Sequence, residues 1–470
     1  MVEKQTNLRT ATSVPLDDVL NFKTARFEAS THGIDARSAI KQVESSGLDF
    51  RPLHGDDGLS NDAHNAFRFK RIYVNSDRGT ALISSSDIIK LQLSEKSFVS
   101  NRLTNRLEEL LVAEHEILIS CSGTIGNVAL SGKHLANNAV SQHVLRVRVD
   151  DKFLAGYISA FLRSRFGRPQ LTGLAYGSVI THLEPSHLEH VIVPVPDELI
   201  MQEIGSLMLD ATAARDQANV LLDKADNLLH QRLQLPNLSD IYVPDYSTHR
   251  VIGLEQLQHR FEGGFHSQIV DLAERALLES GVQLTNIGDD SIASEIWAVT
   301  KFRKRVYVRR GGIPMLNSKQ LFQYDPISMK SLAKGAHRKD IDEIQLKQNL
   351  IVVTCSGTVG KVQIIPKYMS EWTASQDAHR LLCRDDETAG YVFTWLNSDY
   401  GQALLKRFSY GSVILHIDID QLSRVTIPQP GAHVISEIGN LVLQANSLRD
   451  EAWNKERQAI EQIESLVAPP

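Results

Sequence analysis

Apolar residues recur at alternating steps of four and three positions along two long segments, which predicts two long amphipathic helices. The first segment carries Ile200, Ile204, Leu207, Ala211, Ala214, Ala218, Leu221, Ala225 and Leu228. The second carries Val434, Ile438, Leu441, Ala445, Leu448 and Ala452; Lys455 then breaks the series, which continues one position over at Trp453, Ile460, Ile463 and Val467. Heptad spacing of this length is typical of a coiled coil, and the alanines indicate a close approach of the partner.

The two helices are the simplest partners for each other, and short connections make such a pair antiparallel. The alternative is that each helix packs separately against its own domain. The heptad pattern of the first helix runs without a break, which favours the paired arrangement.

Shorter segments ahead of each long helix carry the patterns of strands and helices. Runs of β-branched residues bounded by Gly, Pro or Ser predict strands at residues 117–120, 191–196, 350–354 and 425–428. Helical spacing predicts helices over residues 151–165 and 388–405. Each long helix therefore follows an α/β region.

The chain contains two similar copies of one pattern at a constant offset of 234 residues. The segment Cys121-Ser122-Gly123-Thr124-Ile125-Gly126 returns as Cys355-Ser356-Gly357-Thr358-Val359-Gly360. Further repeats are Ser141-Gln142 with Ser375-Gln376, Tyr176-Gly177-Ser178-Val179-Ile180 with Tyr410-Gly411-Ser412-Val413-Ile414, His182 with His416, Pro194 with Pro428, and Glu203-Ile204-Gly205 with Glu437-Ile438-Gly439. Two copies are too few for a solenoid, so we expect two similar domains related by a pseudo-twofold axis. Such a protein suits a target that is itself twofold or bipartite.

The repeat and the helix patterns together predict five regions. A first α/β domain covers residues 1–197 and a first long helix residues 198–232, whereas a second α/β domain covers residues 250–430 and a second long helix residues 431–467. Residues 233–249, with Pro236 and Pro244, form the linker between the copies. The predicted fold class is α/β, with two pseudo-twofold-related domains that are each followed by a helix of an antiparallel coiled coil.

Composition places the chain among globular proteins of the reducing cytosol. It has 470 residues, of which 42% are hydrophobic and 23% charged. Its cysteines, Cys121, Cys355 and Cys383, do not suggest a disulfide framework. No apolar run approaches the ~18 residues of a membrane span, and the first 20 residues lack the apolar segment of a signal peptide. We therefore expect a cytoplasmic protein without a membrane partner.

The motifs that would make the chain an enzyme are missing from the sequence. An adenine methyltransferase needs an Asn/Asp-Pro-Pro-aromatic tetrapeptide, which does not occur. The segment 357–361 fails as a phosphate-binding loop because Cys355 and Val362 replace required residues, and it is better explained as a tight turn after a strand. No Cys/His spacing suggests zinc, and His182 and His416 lack a paired nucleophile or carboxylate in both copies. We expect no catalytic residue, no cofactor and no metal.

Together these features resemble the specificity subunit of a type I restriction-modification enzyme. The resemblance covers nearly the whole chain and rests on an ordered set that occurs twice: the Ser-Gly-Thr-Ile/Val-Gly turn, the Ser-Gln pair, the Tyr-Gly-Ser segment and the proline before each long helix. It implies that each α/β region is a target-recognition domain that reads one half of a split DNA sequence. It also implies that the coiled coil spaces these domains, that two DNA methyltransferase subunits dock on the chain, and that restriction subunits join them in defence against foreign DNA.

One segment departs from the family pattern. The family often carries an aromatic pair shortly after an arginine that corresponds here to Arg26 and Arg260. In this chain only Phe265, in the second copy, partly supplies that pair. The role of this segment in the first copy is therefore not implied by the resemblance.

The candidate DNA-binding residues follow from comparing the two copies. If the two half-sites differ, residues shared by both copies cannot distinguish them, so they serve the fold, phosphate contact or a common partner. Among these shared candidates are Tyr176, Ser178, Tyr410 and Ser412. Base readout is expected from the segments that differ between the copies. These are residues 329–340, with Lys330, Lys334, His337, Arg338 and Lys339, and their counterpart 97–106, with Asn101, Arg102, Asn105 and Arg106.

A second basic patch is interpreted as phosphate-binding because the copies partly share it. It contains Arg303, Lys304 and Arg305, which Lys70 and Arg71 mirror in the first copy. For this patch and for both divergent segments, the alternative is a solvated surface loop.

Two functions other than type I specificity stay open from the sequence. The net charge of −6 and the coiled coil also fit a protein-interaction scaffold that does not contact DNA. A specificity subunit of another methylation-based defence system fits as well. Selective DNA binding in the presence of a methyltransferase partner would separate the scaffold from both DNA readers.

Overall fold

A computed structural model of the chain describes residue 16 and residues 33–93, 97–177, 181–241, 251–299 and 305–468, except residues 256 and 258. The segment at Arg26 and the predicted site residues Ser178, Arg303 and Lys304 lie outside these described residues. Within the described part of the chain, no helix is both long enough and apolar enough to span a membrane.

The first copy folds into short strands, short helices and one long helix. Its strands are β1 (Asp49–Pro52), β2 (Asp62–Asn65), β3 (Tyr73–Val74), β4 (Gly79–Ile83), β5 (Ser97–Ser100), β6 (Ile117–Ser120), β7 (Val128–Leu130), β8 (Ala139–Val140), β9 (Val144–Arg148) and β10 (Ile192–Val195). Its helices are α1 (Ile34–Glu44), α2 (Leu107–Leu110), α3 (Lys152–Arg163), α4 (Gly167–Gly173) and the long α5 (Glu198–Leu233).

The second copy repeats this order of elements. After a short helix α6 (Leu238–Ile241), its strands are β11 (Leu284–Asn286), β12 (Ala293–Trp297), β13 (Tyr307–Val308), β14 (Ile313–Leu316), β15 (Lys330–Leu332), β16 (Ile351–Thr354), β17 (Ser356–Gly357), β18 (Val362–Ile364), β19 (Thr373–Ala374), β20 (Ala378–Cys383), β21 (Leu415–His416) and β22 (Thr426–Pro428). Its helices are α7 (Gln268–Glu279), α8 (Ile341–Ile344), α9 (Asp386–Asn397), α10 (Asp399–Lys406), α11 (Ile419–Ser423) and the long α12 (Ala432–Val467).

Contacts divide the chain into two compact units, and each unit combines parts of both copies. Among the described residues, the first unit contains those up to 89, residues 97–213 and residues 454–468, and the second contains residues 90–93 and 214–453. The predicted boundaries after residues 197, 232, 249 and 430 follow the repeat rather than the contacts, so they stay predictions. The pseudo-twofold axis also stays a prediction.

In the first unit, two four-stranded sheets form the α/β domain. One is antiparallel with the order β2-β9-β6-β7, and the other has the order β3-β5-β4-β8 with a parallel β4–β8 pair. The apolar strand β6 is buried along its whole length, and α3 packs against β7. Helix α3 begins after Asp151, whose side chain accepts a hydrogen bond from the Phe153 backbone N–H at 2.7 Å.

In the second unit, the same two sheet topologies recur. The orders are β12-β20-β16-β18 and β13-β15-β14-β19, again with one parallel pair, β14–β19. Asp385 caps α9 as Asp151 caps α3, because its side chain accepts a hydrogen bond from the Thr388 backbone N–H at 2.7 Å. The repeat in the sequence is therefore a repeat of folded elements.

The two long helices run antiparallel to each other within each unit. In the first unit, Asp210 of α5 pairs with Lys455 of α12 at 3.1 Å. In the second unit, Arg232 of α5 pairs with Glu437 of α12 at 2.9 Å. As residue numbers increase along α5, the numbers of the contacting residues on α12 decrease. The predicted antiparallel pairing of the helices is therefore confirmed.

Each α/β domain packs against a long helix at a contact between two glycines. A Cβ atom added to Gly156 of α3 would lie 2.5 Å from the Gly205 carbonyl oxygen of α5, and one added to Gly390 of α9 would lie 2.5 Å from that of Gly439 of α12. The crossing backbones are so close that only glycine fits. This contact explains why Gly205 and Gly439 recur in the sequence.

The seam of α5, which is the row of its buried residues, differs from the prediction at three leucines. At each of them the buried residue is the next one along the chain. Met208, Leu222 and Leu229 are buried, whereas the predicted Leu207, Leu221 and Leu228 are half-buried. Each predicted leucine is followed directly by another apolar residue, so the sequence pattern alone could not tell which of the two faces the partner.

The seam of α12 continues without the predicted break. Val442, Ala445, Arg449, Ala452, Glu456 and Ala459 are all buried at alternating steps of three and four. The break predicted at Lys455 is wrong, because two of these seam positions carry charged side chains. Arg449 is 2% exposed and Glu456 1% exposed, and a search for apolar residues passes over both.

Two other predicted elements differ from the structure. The helix predicted over residues 388–405 is divided into α9 and α10, because the Ser398 hydroxyl accepts a hydrogen bond from the Gly401 backbone N–H at 3.1 Å and starts a second helix. In the predicted linker, Leu235 and Leu238 are buried, and the Tyr400 hydroxyl donates to the Pro236 carbonyl at 2.8 Å. The described start of the linker is therefore packed against the second domain.

Candidate nucleic-acid interface

The glycine-rich motif of each copy forms a tight turn after a buried strand. Gly123 and Gly126 have φ values of 76° and 92°, and Gly357 and Gly360 of 77° and 87°. In the first turn the Ser120 hydroxyl donates to the Thr124 carbonyl at 2.6 Å. The positive φ values explain the glycines, as the sequence predicted for this motif.

The Ser-Gln pair holds an arginine in both copies. Arg71 Nη2 donates to Gln142 Oε1 at 3.0 Å, and Arg305 donates to Gln376 at the repeat-equivalent position. Both arginines are predicted phosphate-binding residues, and Arg71 is exposed. The shared glutamine thus orients a basic side chain at the surface in each unit.

The electrostatics around Arg71 are those of a basic patch. Burial lowers the pKa of His143, and the positive charges of Arg71, His182 and Arg68 lower it further. The imidazole therefore tends to stay neutral beside the arginines. Arg68 and Arg71 thus both lie close to His143, and Lys70 is exposed next to Arg71 in the sequence, which suits the binding of a phosphate.

The repeat-equivalent cysteines beside the turns do not have the character of nucleophiles. Burial raises the pKa of the Cys121 thiol to about 11 and that of the Cys355 thiol to about 11. Cys121 accepts a hydrogen bond from Asn65 Nδ2 at 3.0 Å. All three cysteines of the chain are described, buried and free, so they act as small core residues.

The Tyr-Gly-Ser segment forms a loop whose two ends are bonded to each other. Tyr176 and His182 exchange backbone hydrogen bonds of 3.0 and 2.7 Å, and Tyr410 and His416 exchange bonds of 2.9 and 2.8 Å. Between the latter two, Ser412 is exposed and Val413 is 93% exposed. This loop lies beside the glycine-rich turn, since Ser122 Oγ is 3.3 Å from His182 Nδ1.

The two shared tyrosines have an internal partner for their hydroxyl groups. The Tyr176 hydroxyl donates to Glu184, and the Tyr410 hydroxyl donates to Asp418 Oδ1 at 3.0 Å. The bond to Asp418 raises the pKa of Tyr410. Tyr176 and Tyr410 therefore fix the base of the loop, and direct DNA contact by either side chain stays a prediction.

The divergent segment of the first copy begins on β5, which pairs with β3 and β4 in the smaller sheet. Arg102 and Asn105 are exposed in the turn that follows. Arg106 is exposed too, but its Nε donates to Glu109 at 2.6 Å and its guanidinium lies 4.8 Å from the centre of the Phe67 ring. Arg106 is thus held in place, with part of its charge compensated.

The divergent segment of the second copy begins on β15, which pairs with β13 and β14. Lys330 is exposed, and its Nζ lies 5.1 Å from the centre of the Tyr307 ring. Lys334, Arg338 and Lys339 follow and are all exposed. Because β5 and β15 occupy equivalent places in equivalent sheets, the structure puts both divergent segments at the same site of their domains.

A buried histidine anchors the second segment. His337 is 3% exposed; its Nε2 accepts a hydrogen bond from the Val306 backbone N–H at 2.9 Å, and its Nδ1 lies 3.2 Å from Asp340 Oδ2. In the basic segment its role is therefore structural. From the sequence His337 is grouped with its exposed basic neighbours as a base-reading candidate, because nothing in this polar segment distinguishes it from them.

Sequence reasoning also missed two exposed aromatic residues that lie beside the divergent segments. Tyr73 is 57% exposed on β3 and Tyr307 is 37% exposed on β13, next to the strands that carry the divergent segments. Both could have been found as site residues, since they recur at the same offset and are aromatic beside basic segments. Among the described residues no cluster of His, Cys, Asp and Glu suits a metal ion.

Comparison with known proteins gives one family. The family model described as "Type I restriction modification DNA specificity domain" matches the chain twice, at residues 74–216 and 298–438. No curated protein matches the sequence. The matched segments contain β5, β15, the glycine-rich turns and the Tyr-Gly-Ser loops.

Solved structures of type I systems are similar to this chain over most of its length. The S subunit of a type I restriction-modification system from M. genitalium has 12% sequence identity and a TM-score of 0.33, over 89% of this chain and 98% of that chain. The HsdS subunit from Thermoanaerobacter tengcongensis has 12% identity and a TM-score of 0.26, over 89% and 100%. A chain from a study of complex assembly and conformational transition of the type I R-M system has 12% identity and a TM-score of 0.27, over 88% and 99%. Because the two segments matched by the family model make up more than half of the sequence, the chain belongs to the family of type I restriction-modification DNA specificity subunits.

Proposed function

We propose that this specificity subunit, which is not itself an enzyme, reads a bipartite DNA target with one half-site for each α/β domain. The observation that carries this proposal is the pairing of a shared framework with a divergent basic segment. The turn, the Arg–Gln pair and the residues that close the Tyr-based loop are shared by both units, whereas the exposed residues after β5 differ from those on and after β15. Shared residues suit phosphates and common partners, and differing residues suit different bases.

Within each domain we assign two roles. Lys70, Arg71 and Arg305 contact phosphates, since a glutamine orients the arginines and phosphate contacts carry no sequence information. Arg102, Asn105 and Arg106 read one half-site, and Lys330, Lys334, Arg338 and Lys339 read the other. Bidentate contacts of Arg with guanine and of Asn with adenine in the major groove are the chemistry that these side chains provide.

Substitution of the second segment tests the assignment. Lys334→Ser with Arg338→Ser should change or abolish recognition of one half-site and leave the other unchanged, with a loss of about 1–3 kcal/mol for each base contact. Methylation mapping of a host genome that carries the methyltransferase and the variant subunit is the measurement. Lys319→Ser with Lys347→Ser removes two exposed charges from the same unit outside the segment and should leave the mapped motif unchanged.

The same mapping distinguishes the possible errors in this proposal. If the two half-sites changed together, the domains would not read independently. If the motif stayed intact in the Lys334→Ser, Arg338→Ser variant, base readout would lie elsewhere. If it changed equally in the control, net charge rather than local contact would be responsible.

We further propose that two DNA methyltransferase subunits dock on the chain and that restriction subunits join this complex. The support is that the framework features occur once in each unit, so a partner that binds one of them finds a second equivalent site. Native mass spectrometry of the chain mixed with its methyltransferase subunit should give two methyltransferases for each specificity subunit. A single methyltransferase at saturation would contradict the duplicated docking site.

A further inference from the structure

A fully buried ion pair joins the first α/β domain to the long helix of the other copy. Arg163, at the end of α3, donates through Nη2 to Glu456 Oε2 of α12 at 2.8 Å, and its Nη1 donates to Oε1 of the same carboxylate. Both side chains are 1% exposed. Such a bidentate pair needs both charges, since either one alone would be a buried unpaired ion.

The equivalent positions of the second unit carry no ion pair. The residue 234 positions after Arg163 is Asn397, and the residue 234 positions before Glu456 is Leu222. Asn397 uses its side-chain amide to donate to the Phe393 carbonyl at 3.0 Å, and Leu222 belongs to the apolar core of that unit. The two copies therefore meet each other's helices with different chemistry at the same place.

A second pair near the first has opposite polarity in the two units. In the first unit, the α/β domain supplies the base and the helix the acid: Glu464 accepts from the Arg165 backbone N–H at 2.7 Å and lies 3.7 Å from its Nε. In the second unit, the domain supplies the acid Asp399, which lies 3.3 Å from His230 Nε2 of the helix. Asp399 is the repeat equivalent of Arg165, and His230 that of Glu464.

These pairs distinguish the association of unlike copies from that of like copies. Suppose that the domain of a first copy met the helix of another first copy. Arg163 would then face Leu222, and Arg165 would face His230. Between two second copies, Glu456 would face Asn397, and Glu464 would face Asp399. Each like pairing buries one charge without its partner and sets two groups of the same polarity against each other.

We propose that Arg163–Glu456 and Arg165–Glu464, set against Asn397–Leu222 and Asp399–His230, are a recognition code by which each domain accepts the helix of the unlike copy. The partner selected is the other half of this chain, and the partner rejected is the like half of a second chain. The code keeps two different domains on one scaffold and prevents the like halves of two chains from pairing. It does not depend on which DNA sequence the domains read.

The test starts from the intact folded chain, with a specific protease site inserted within residues 242–249. Cleavage leaves two fragments of different mass that stay associated. Incubation continues until ¹⁵N-labelled and unlabelled preparations have exchanged fragments, and native mass spectrometry then counts each kind of dimer. For the unaltered chain we expect only dimers of unlike fragments, with like dimers at least about a hundredfold below the statistical level.

A symmetrised variant is the decisive comparison. Arg163→Asn, Arg165→Asp, Glu456→Leu and Glu464→His give both units the pairs now found in the second unit, so no charge is left unpaired. Like and unlike fragments should then mix, with about half of the dimers unlike and about a quarter of each like kind. A charge-reversed control, Arg163→Glu with Glu456→Arg, keeps the code and should give unlike dimers only.

Each outcome decides the proposal. Free mixing in the unaltered chain would overturn it, because the pairs would then select nothing. Unlike dimers alone in the symmetrised variant would overturn it too, because selection would lie elsewhere in the interface. Mixing in the charge-reversed control would show that the ion pair does not select by complementarity.

Discussion

At the scale of single residues, the two copies stabilise an equivalent buried arginine with different partners. Arg146 and Arg380 are repeat equivalents, and both are fully buried. Arg146 pairs with Glu116 at 2.7 Å. Leu350 stands at the position equivalent to Glu116 in the second copy, where Arg380 donates to the carbonyls of Ser375, Ala374 and Ala378. Burial lowers the pKa of Arg380 to about 10, which still leaves it charged at neutral pH.

Glu116 should therefore be a major determinant of stability in the first unit. Glu116→Gln keeps the shape of the side chain but leaves Arg146 without a counter-charge, so we expect a loss of about 3–5 kcal/mol in the free energy of unfolding. Glu114→Gln, which alters an exposed carboxylate two residues away, should change stability by less than about 0.5 kcal/mol. Urea unfolding of the three proteins measures both effects, and equal midpoints would show that the ion pair contributes nothing.

His230 gives the second unit a dependence on pH. Burial alone lowers the pKa of His230, but the hydrogen bond and charge of Asp399 and the charge of Asp226 outweigh burial and raise it. Since the folded pKa lies above the unfolded value of about 6.5, protonated His230 stabilises the fold below that pH, and this contribution is lost as pH rises through the folded pKa. Asp226, whose pKa burial raises, also favours the fold at lower pH.

Melting temperature should accordingly fall as pH is raised from about 6 to 8, and His230→Gln should flatten that fall. His433→Gln, at an exposed position near the start of α12, should leave the slope as it is. Differential scanning calorimetry at several pH values gives the comparison. A slope that is the same in all three proteins would mean that His230 has no stabilising ion pair.

At the scale of elements, the positions of the glycines decide how a domain is mounted on its helix. Alanine is the better helix former by about 1 kcal/mol, so Gly205→Ala in mid-helix would stabilise an isolated α5. Here its Cβ would lie 2.0 Å from the Phe153 carbonyl oxygen, which is backbone and cannot rotate away. We expect this clash to outweigh the gain in helix propensity and to lower the free energy of unfolding by about 3 kcal/mol.

Thermal unfolding of Gly205→Ala and Gly439→Ala should show the loss in both units. Gly263→Ala is the matched control, because nothing lies within 4 Å of a Cβ atom at Gly263. Its melting temperature should stay close to that of the unaltered protein. If Gly205→Ala melted no earlier than this control, the close approach of α3 and α5 would not be required for folding.

The elements also show what a sequence pattern can and cannot predict. The strands β6, β10, β16 and β22 and the two long helices were predictable from the sequence, because the spacing of their apolar residues fits one type of element only. The side of the long helices that is buried was not, since adjacent leucines such as Leu221 and Leu222 fit two rotations of the helix. The charged seam residues Arg449 and Glu456 lay outside any apolar rule, because their burial depends on partners far along the chain.

For the candidate site, the repeat was informative where hydropathy was not. Comparing the copies separated the shared Gln142 and Gln376 and the partly shared patch of Arg71 and Arg305 from the divergent segments, but the structure was needed to show that each arginine bonds to a glutamine. It could not predict that His337 is buried, which depends on its contacts with Val306 and Asp340. It also could not predict that parts of both copies make up each compact unit, because a repeat does not reveal which halves pack together.

At the scale of the whole molecule, we predict that α5 and α12 set the spacing between the two proposed half-sites. Each has 36 residues and spans about 54 Å at ~1.5 Å per residue. If they act as a ruler, four residues inserted in both helices should lengthen it by ~6 Å and turn it by ~40°. Four extra residues form a stutter, which a coiled coil accommodates by local unwinding.

The insertions belong after Ala218 on α5 and within the facing part of α12, residues 447–451, since Asp210 pairs with Lys455 and Arg232 with Glu437. One base pair adds ~3.4 Å and about 35° of turn, so the longer ruler should favour a DNA spacer longer by one or two base pairs, with both half-sites unchanged. Methylation of a library of spacer lengths measures this preference, and four residues inserted between Gly263 and Gly264 serve as the control. A variant that still methylates DNA but keeps the original spacer would show that the helices do not set the distance.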